Sequence, residues 1–152
     1  MKYLFVLFSI TLFAKGCNDE ATKKEAIKTA EDDIIITYEA LSRGFFEEIQ
    51  VSKVALKTTK DRNKQQYNTY DCSEEDWKEV VALLAKIDAK KINTLEAPSS
   101  KRLHDGAAHA VLKIKYKDTE ISSNSFDHGN PPKELAALVN KLQAMAKAVD
   151  KP

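Results

Sequence analysis

The sequence is short of the residues that punctuate and staple small proteins. Only 4 of its 152 residues are glycine and 4 are proline, which argues against a glycine-rich phosphate loop and against low-complexity or collagen-like chain. It contains no GxSxG elbow, no CxxC pair and no HExxH motif, so the usual signatures of serine hydrolases, thiol redox proteins and zinc proteases are missing. Two cysteines cannot build a disulfide framework. Neither sign of charge is in excess: 24 Lys plus Arg stand against 23 Asp plus Glu, which removes the electrostatic footprint of a nucleic-acid binder. The longest apolar run, Tyr3 to Ala14, would make about 18 Å of helix against a hydrocarbon core of ~30 Å, too short for a permanent span. What is present, 43% hydrophobic and 31% charged residues, is the composition of one folded domain around one core.

The apolar run itself has secretory grammar, with Lys2 before it and the small residue Gly16 directly before Cys17. Residues 1–16 read as a signal peptide. The end of this segment resembles the bacterial lipoprotein signal, in which a cysteine after a short small-residue box is lipid-modified and becomes the new N-terminus. Lys15 departs from the strict box, as in the looser boxes of Bacteroidetes-type lipoproteins. The resemblance implies a lipid anchor on Cys17 and a place in the cell envelope as an outer-membrane lipoprotein; an ordinary cleaved signal is the alternative. Asp19-Glu20, soon after the cysteine, is similar to the acidic signals that send some of these proteins to the outer face. Cleavage removes Lys2 and Lys15, leaving 22 basic against 23 acidic residues. It also leaves Cys72 without an intrachain partner once Cys17 carries lipid, so Cys72 reads as a small buried apolar residue, with a redox role open. Residues 17–32 are polar apart from alanine and Ile27, the composition of a solvated, lipid-anchored tether.

Residues 33–152 read as a single α+β domain. Ile34 to Leu41 and Phe45 to Val51 are strand-like and flank Ser42-Arg43-Gly44, a hairpin in which glycine suits a positive φ. The apolar phase slips near Ser52-Lys53, which predicts a second turn or a bulge. Lys57 to Asn68 is polar enough for a long loop or a twisted strand end. Ser73-Glu74-Glu75-Asp76 is a helix start, and Trp77, Val80, Val81, Leu84 and Ile87 form the buried stripe behind it. Ala108 to Tyr116 alternates as a half-wet strand, and Lys117-Asp118 is a two-residue turn into Thr119 to Phe126. Asn130 reads as the cap of a last helix with proline in its first turn, and Leu135, Leu138, Val139, Leu142, Met145 and Val149 as its stripe. These elements predict an antiparallel sheet of about four strands with two amphipathic helices packed on one face. The element order and the GNPPKELAALVNKL ending resemble emfourin, a small inhibitor of a thermolysin-like protease. That resemblance implies protease inhibition and carries no inhibitory residue.

Two groups of residues are candidates for function. Counting from a two-residue turn at Lys117-Asp118, residue 109 pairs with 126 and 107 with 128, which brings His104-Asp105 to the same end as Asp127-His128. Two imidazoles and two carboxylates there would suit zinc or a similar ion, or an acid and base for hydrolysis. The alternative is structural: Asp105-Gly106 is turn chemistry, and Asp127 is placed to help cap the last helix. The other group is the hairpin tip, Arg43, Gly44 and Phe46, since arginine and aromatics at a tip make interface anchors. Lys57, Lys60, Arg62 and Lys64 with Tyr67 and Tyr70 read as a solvated loop or as a patch for a polyanion. His109 lies on the lysine-rich, solvated face. The preferred reading is a non-catalytic, lipid-anchored envelope domain that binds another macromolecule, in particular an envelope protein, through the Arg43 to Phe46 tip or the loop edge at residues 102–106 and 127–130. No nucleic acid and no cofactor are expected, zinc being the one exception kept open.

Overall fold

The computed structural model describes residues 33–150. The signal, the Cys17 lipidation site and the tether therefore lie outside the described residues. Seven strands form, β1 (Ile34–Ser42), β2 (Phe45–Ser52), β3 (Ala55–Thr59), β4 (Asn68–Asp71), β5 (His109–Tyr116), β6 (Thr119–Ser122) and β7 (Phe126–Asp127). Helix α1 (Glu74–Leu84) follows β4, α2 (Lys133–Val149) follows β7, and short 3-10 segments occupy Ile92–Thr94 and Lys101–His104. All pairings are antiparallel, in the order β4-β3-β2-β1-β5-β6, with β7 also on β5. The α+β class with an antiparallel sheet holds; the strand number is seven rather than about four. The extra strands are short, and Asn68–Asp71 offers the backbone for pairing but no apolar alternation.

The core follows from the two periodicities. Ile36, Tyr38 and Ala40 of β1 face the same way as Ile49 and Val51 of β2 and Ala110, Leu112 and Ile114 of β5. They share one buried cluster with Trp77 and Val80 of α1 and with Leu135, Leu138, Val139 and Leu142 of α2. Ser73 caps α1 as its sequence requires, its hydroxyl accepting from Asp76 N at 3.1 Å. Asn130 does not cap α2, because two prolines intervene and the helix starts only at Lys133 with Pro132 at the cap position. Its amide donates instead to Ser99 Oγ at 2.7 Å. The phase slip near Ser52 is a second hairpin, with Lys53-Val54 between paired residues Val51 and Leu56. Gly44 sits in the first hairpin without a positive φ, and a Cβ there would meet nothing within 4 Å. Turn geometry therefore does not demand glycine at 44.

The opposite sheet face is not simply wet. The chain between β3 and β4, residues 60–67, crosses it as a strap. Lys64 Nζ reaches Glu39 at 2.7 Å and Glu48 at 2.6 Å, and Tyr67 donates to Glu48 at 2.7 Å. Arg62 donates to the carbonyls of Ser42 and Phe45. Under this strap Glu48 is 2% exposed and Phe46 8% exposed, with Lys64 Nζ 5.6 Å from the Phe46 ring centroid. Burial opposes ionisation of Glu39, yet hydrogen bonding and charge from Lys64 and Lys113 outweigh it and lower its pKa. The basic residues of this loop thus hold the fold together. No helix among the described residues is long and apolar enough to cross a membrane.

Candidate functional site: the hairpin tip and the β7 loop

The two surfaces singled out in the sequence meet at one end of the sheet. β1 and β5 pair with Leu41 opposite His109, and His109 in turn lies opposite Asp127 of β7. The β1–β2 turn therefore ends beside the residues that follow β7. The Phe45 ring centroid is 5.1 Å from that of His128. Phe45, not Phe46, is the exposed aromatic of the tip. Phe46 falls on the strap face and is buried there with Lys64 over its ring, which leaves little of it for the partner contact expected from the sequence.

The approach of residue 128 depends on a bulge the sequence reading did not contain. β5 and β6 pair as expected from the Lys117-Asp118 turn, Tyr116 with Thr119 and Lys113 with Ser122. Beyond that, Ser123 bonds Leu112 by its own amide to the carbonyl (2.9 Å) and by its hydroxyl, which accepts from Leu112 N at 3.0 Å. The hydroxyl takes the place of a backbone carbonyl, and one extra residue enters this strand. Pairing resumes as Ala110 with Phe126 and His109 with Asp127, one step later than a continuous ladder would give. Thr119 to Phe126 is thus two strands, not one. Because side chains alternate with period two, this one-residue step decides which face Asp127 takes.

Asp127 shares the face of His109, opposite to that of Phe126, and is 2% exposed because the segment of residues 99–102 covers it. Its carboxylate accepts from Ser99 Oγ (2.6 Å), Lys101 N (2.8 Å), Arg102 N (3.0 Å) and Arg102 Nη1 (3.1 Å). Burial would raise its pKa, but these donors prevail and hold the carboxyl far below the usual range. It caps the 3-10 segment Lys101–His104 from across the loop and not the last helix. Leu103 on that segment is 63% exposed, and His104 and Asp105 are also exposed, Asp105 in the left-handed region with φ 56°.

His128 goes elsewhere. Its Nδ1 is 2.7 Å from the hydroxyl of Tyr38, a residue with no exposure that also receives Gln143 Nε2 at 3.3 Å. Burial first, then the charge of Glu47, pushes the Tyr38 hydroxyl well above its ordinary pKa, so it is a neutral donor or acceptor to the imidazole. His109 Nδ1 lies 3.4 Å from Ser125 Oγ and is half-buried rather than fully solvated. The four residues considered for a metal therefore split: Asp127 with Arg102, His128 with Tyr38 and Phe45, and His104-Asp105 at the surface. Among the described residues no group of three or more His, Cys, Asp or Glu is placed to hold a metal ion. Cys72 is half-buried against the core, and burial followed by the nearby Asp76 charge raises its thiol pKa.

The tip that results carries Leu41, Phe45 and Leu103 as exposed large apolar side chains, with exposed Arg43 beside them. Sequence reasoning reached this end through the Arg43 to Phe46 tip and the loop edge at residues 102–106 and 127–130, without singling out Phe45 or Leu103 within them, and missed Leu41. The signal for Phe45 was available: it is odd-numbered like Ile49 and Val51, yet one residue from the turn, where no helix covers it. Compared with models of known protein families and with curated proteins, the sequence matches none.

Proposed function

We propose that this chain is a lipid-anchored cell-envelope module that binds another macromolecule, an envelope protein, with the tip formed by Leu41, Arg43, Phe45 and Leu103. The observation that carries the reading is the collection of three exposed apolar side chains and an arginine at one end of the sheet. Apolar anchors flanked by arginine are the residues that dominate protein interfaces. The nearest buried carboxylate, Asp127, has both oxygens committed to Ser99, Lys101 and Arg102. It has no lone pair spare for acid-base work, which favours binding over hydrolysis.

The test is capture from cross-linked cells with the lipidated, C-terminally tagged protein. Phe45→Ala with Leu103→Ala is expected to abolish recovery of a stoichiometric partner, whereas Val54→Ala, at the other end of the sheet, is not. Equal recovery by all three proteins would reject the tip as the binding surface. Cys17→Ser, followed by fractionation and palmitate labelling, tests the anchor separately.

A further inference from the structure

The exposed large apolar side chains of the described residues fall into two sets. Leu41, Phe45 and Leu103 belong to the tip; Ile35 (39%), Val54 (74%) and Tyr116 (38%) belong to the other end. The register fixes this second grouping, since Ile35 pairs with Ser52 and Lys115 and Ile34 with Tyr116, while Val54 sits in the adjacent β2–β3 turn. Helix α1 runs past this end with a cleft at each of its termini. One, of about 400 Å³, is lined by Ile34, Leu84, Ile87, Ile114, Tyr116 and Ile121. The other, of about 610 Å³, lies between Val54, Cys72 and Trp77, with Lys53 and Lys78 balanced by Asp71 and Glu74 on its wall.

We infer that this end of the domain docks on the phospholipid bilayer, Val54, Ile35 and Tyr116 entering the boundary between headgroups and acyl chains. The inference rests on the anchor reading above, and the position of the chain supplies the argument. The described residues begin at Asp33, and Ile34 is itself part of the first cleft. Only sixteen residues, Cys17 to Asp32, separate the proposed anchor from this end, so the chain joins the lipid here and not at the tip. Tethering turns docking into an intramolecular event, for which a small apolar contact suffices.

The surface chemistry fits an interface between water and lipid. Tyr116 is an amphipathic ring at the rim of an apolar cleft, and Lys117 Nζ lies 5.4 Å from its centroid. Tyrosine settles at headgroup level, and lysine stems lie along apolar surface while the ammonium stays in water. Lys115 and Lys117 are offset by Asp33, Asp118 and Glu120 in the same turn region. The attraction is therefore apolar rather than electrostatic and does not require anionic lipid.

Trp77, the only tryptophan, lines the second cleft and serves as the probe. The lipidated full chain is placed in phosphatidylcholine vesicles with or without bromine on the acyl chains. Brominated lipid is expected to quench Trp77 emission, with little change between low and high salt. Val54→Glu and Tyr116→Glu, each at an exposed position, are expected to restore emission to the level in plain lipid while vesicle association and the Cys17 lipid persist. Equal emission of the wild type in both lipids overturns the docking, and with palmitate label intact it does so without touching the anchor. Should the label be absent, the anchor reading fails, and quenching still decides: present and removed by Val54→Glu it supports docking, absent it ends it. A doubled mass with no quenching assigns this face to a second copy and likewise overturns the inference.

Discussion

Replacing Ser123 by alanine tests the device that positions the site. Ser123 is 7% exposed, and its hydroxyl accepts from Leu112 N (3.0 Å) while donating to the Asn124 carbonyl (2.9 Å). Alanine keeps the backbone free to bulge but leaves the Leu112 amide, deep in the sheet, without an acceptor. An orphaned buried amide costs about 1–3 kcal/mol, which for a domain of this size is a fall of roughly 4–12 °C in Tm. Ser122→Ala is the control, because the Ser122 hydroxyl only reaches the Ser123 carbonyl at 3.2 Å at a half-exposed position. Its effect should stay within about 0.5 kcal/mol. Urea denaturation gives the free energies, an unchanged slope confirming that neither end state has altered in compactness. Amide exchange localises the loss: Leu112 should exchange faster in Ser123→Ala and not in Ser122→Ala. If the Leu112 amide keeps its protection and stability is unchanged, the hydroxyl is not what holds the bulge. The account of how Asp127 comes to face the segment of residues 99–102 would then be wrong.

Three further outcomes follow from buried polar groups. Asp127 has a folded pKa far below its unfolded value of ~3.9, so its contribution to stability is complete above ~3.9 and is lost progressively as pH falls from there down through the folded pKa. In Tm measured against pH, Asp127→Asn should be less stable at neutral pH and converge with wild type in acid; parallel curves would contradict the assignment. Lys64→Met strands the buried Glu48, and adding Glu48→Gln should recover part of the loss. The coupling energy from the double-mutant cycle is expected to be about 1 kcal/mol, less than for a fully buried pair because the Lys64 side chain is 40% exposed. Trp77 Nε1 is buried without a hydrogen-bond partner. Trp77→Phe should therefore cost no more than about 1 kcal/mol, relief of the orphaned donor offsetting lost packing, and a loss in the 3–5 kcal/mol range of a large cavity would refute that.

Much of the fold was legible because period and capping are local. The stripes of α1 and α2 and the alternation of β1 and β5 each sit within a few residues of sequence, and Ser73 announces its helix. The failures share one cause, which is satisfaction of polar groups by residues far along the chain. Nothing near Ser123 states that its hydroxyl will replace a carbonyl opposite Leu112, so a two-residue turn at Lys117-Asp118, read correctly, still gave pairing one step out at His109. Nothing near Lys64 states that it will meet Glu39 and Glu48, which lie on two other strands. A polar loop was therefore read as solvated when it is the cover of a sheet face.

The site was less legible than the fold for a related reason. Positions 35, 41, 45, 54, 103 and 116 carry no common motif, and an isolated exposed apolar residue needs no explanation. Only the antiparallel register sorts them. Ile35 lies with Ser52 and Lys115, and Leu41 with Phe46 and His109, so β1 alone carries the chain from one apolar group to the other. At about 3.4 Å per residue the strand Ile34–Ser42 spans roughly 30 Å. A surface that grips a partner and a surface that rests on lipid compete if they overlap, because both seek the same desolvated contact. Here one strand separates them, and the chain enters at the end opposite the tip. On the proposed anchoring, attachment at the Ile34 end would leave Phe45 and Leu103 facing away from the bilayer, and neither group would have to be given up for the other to be used.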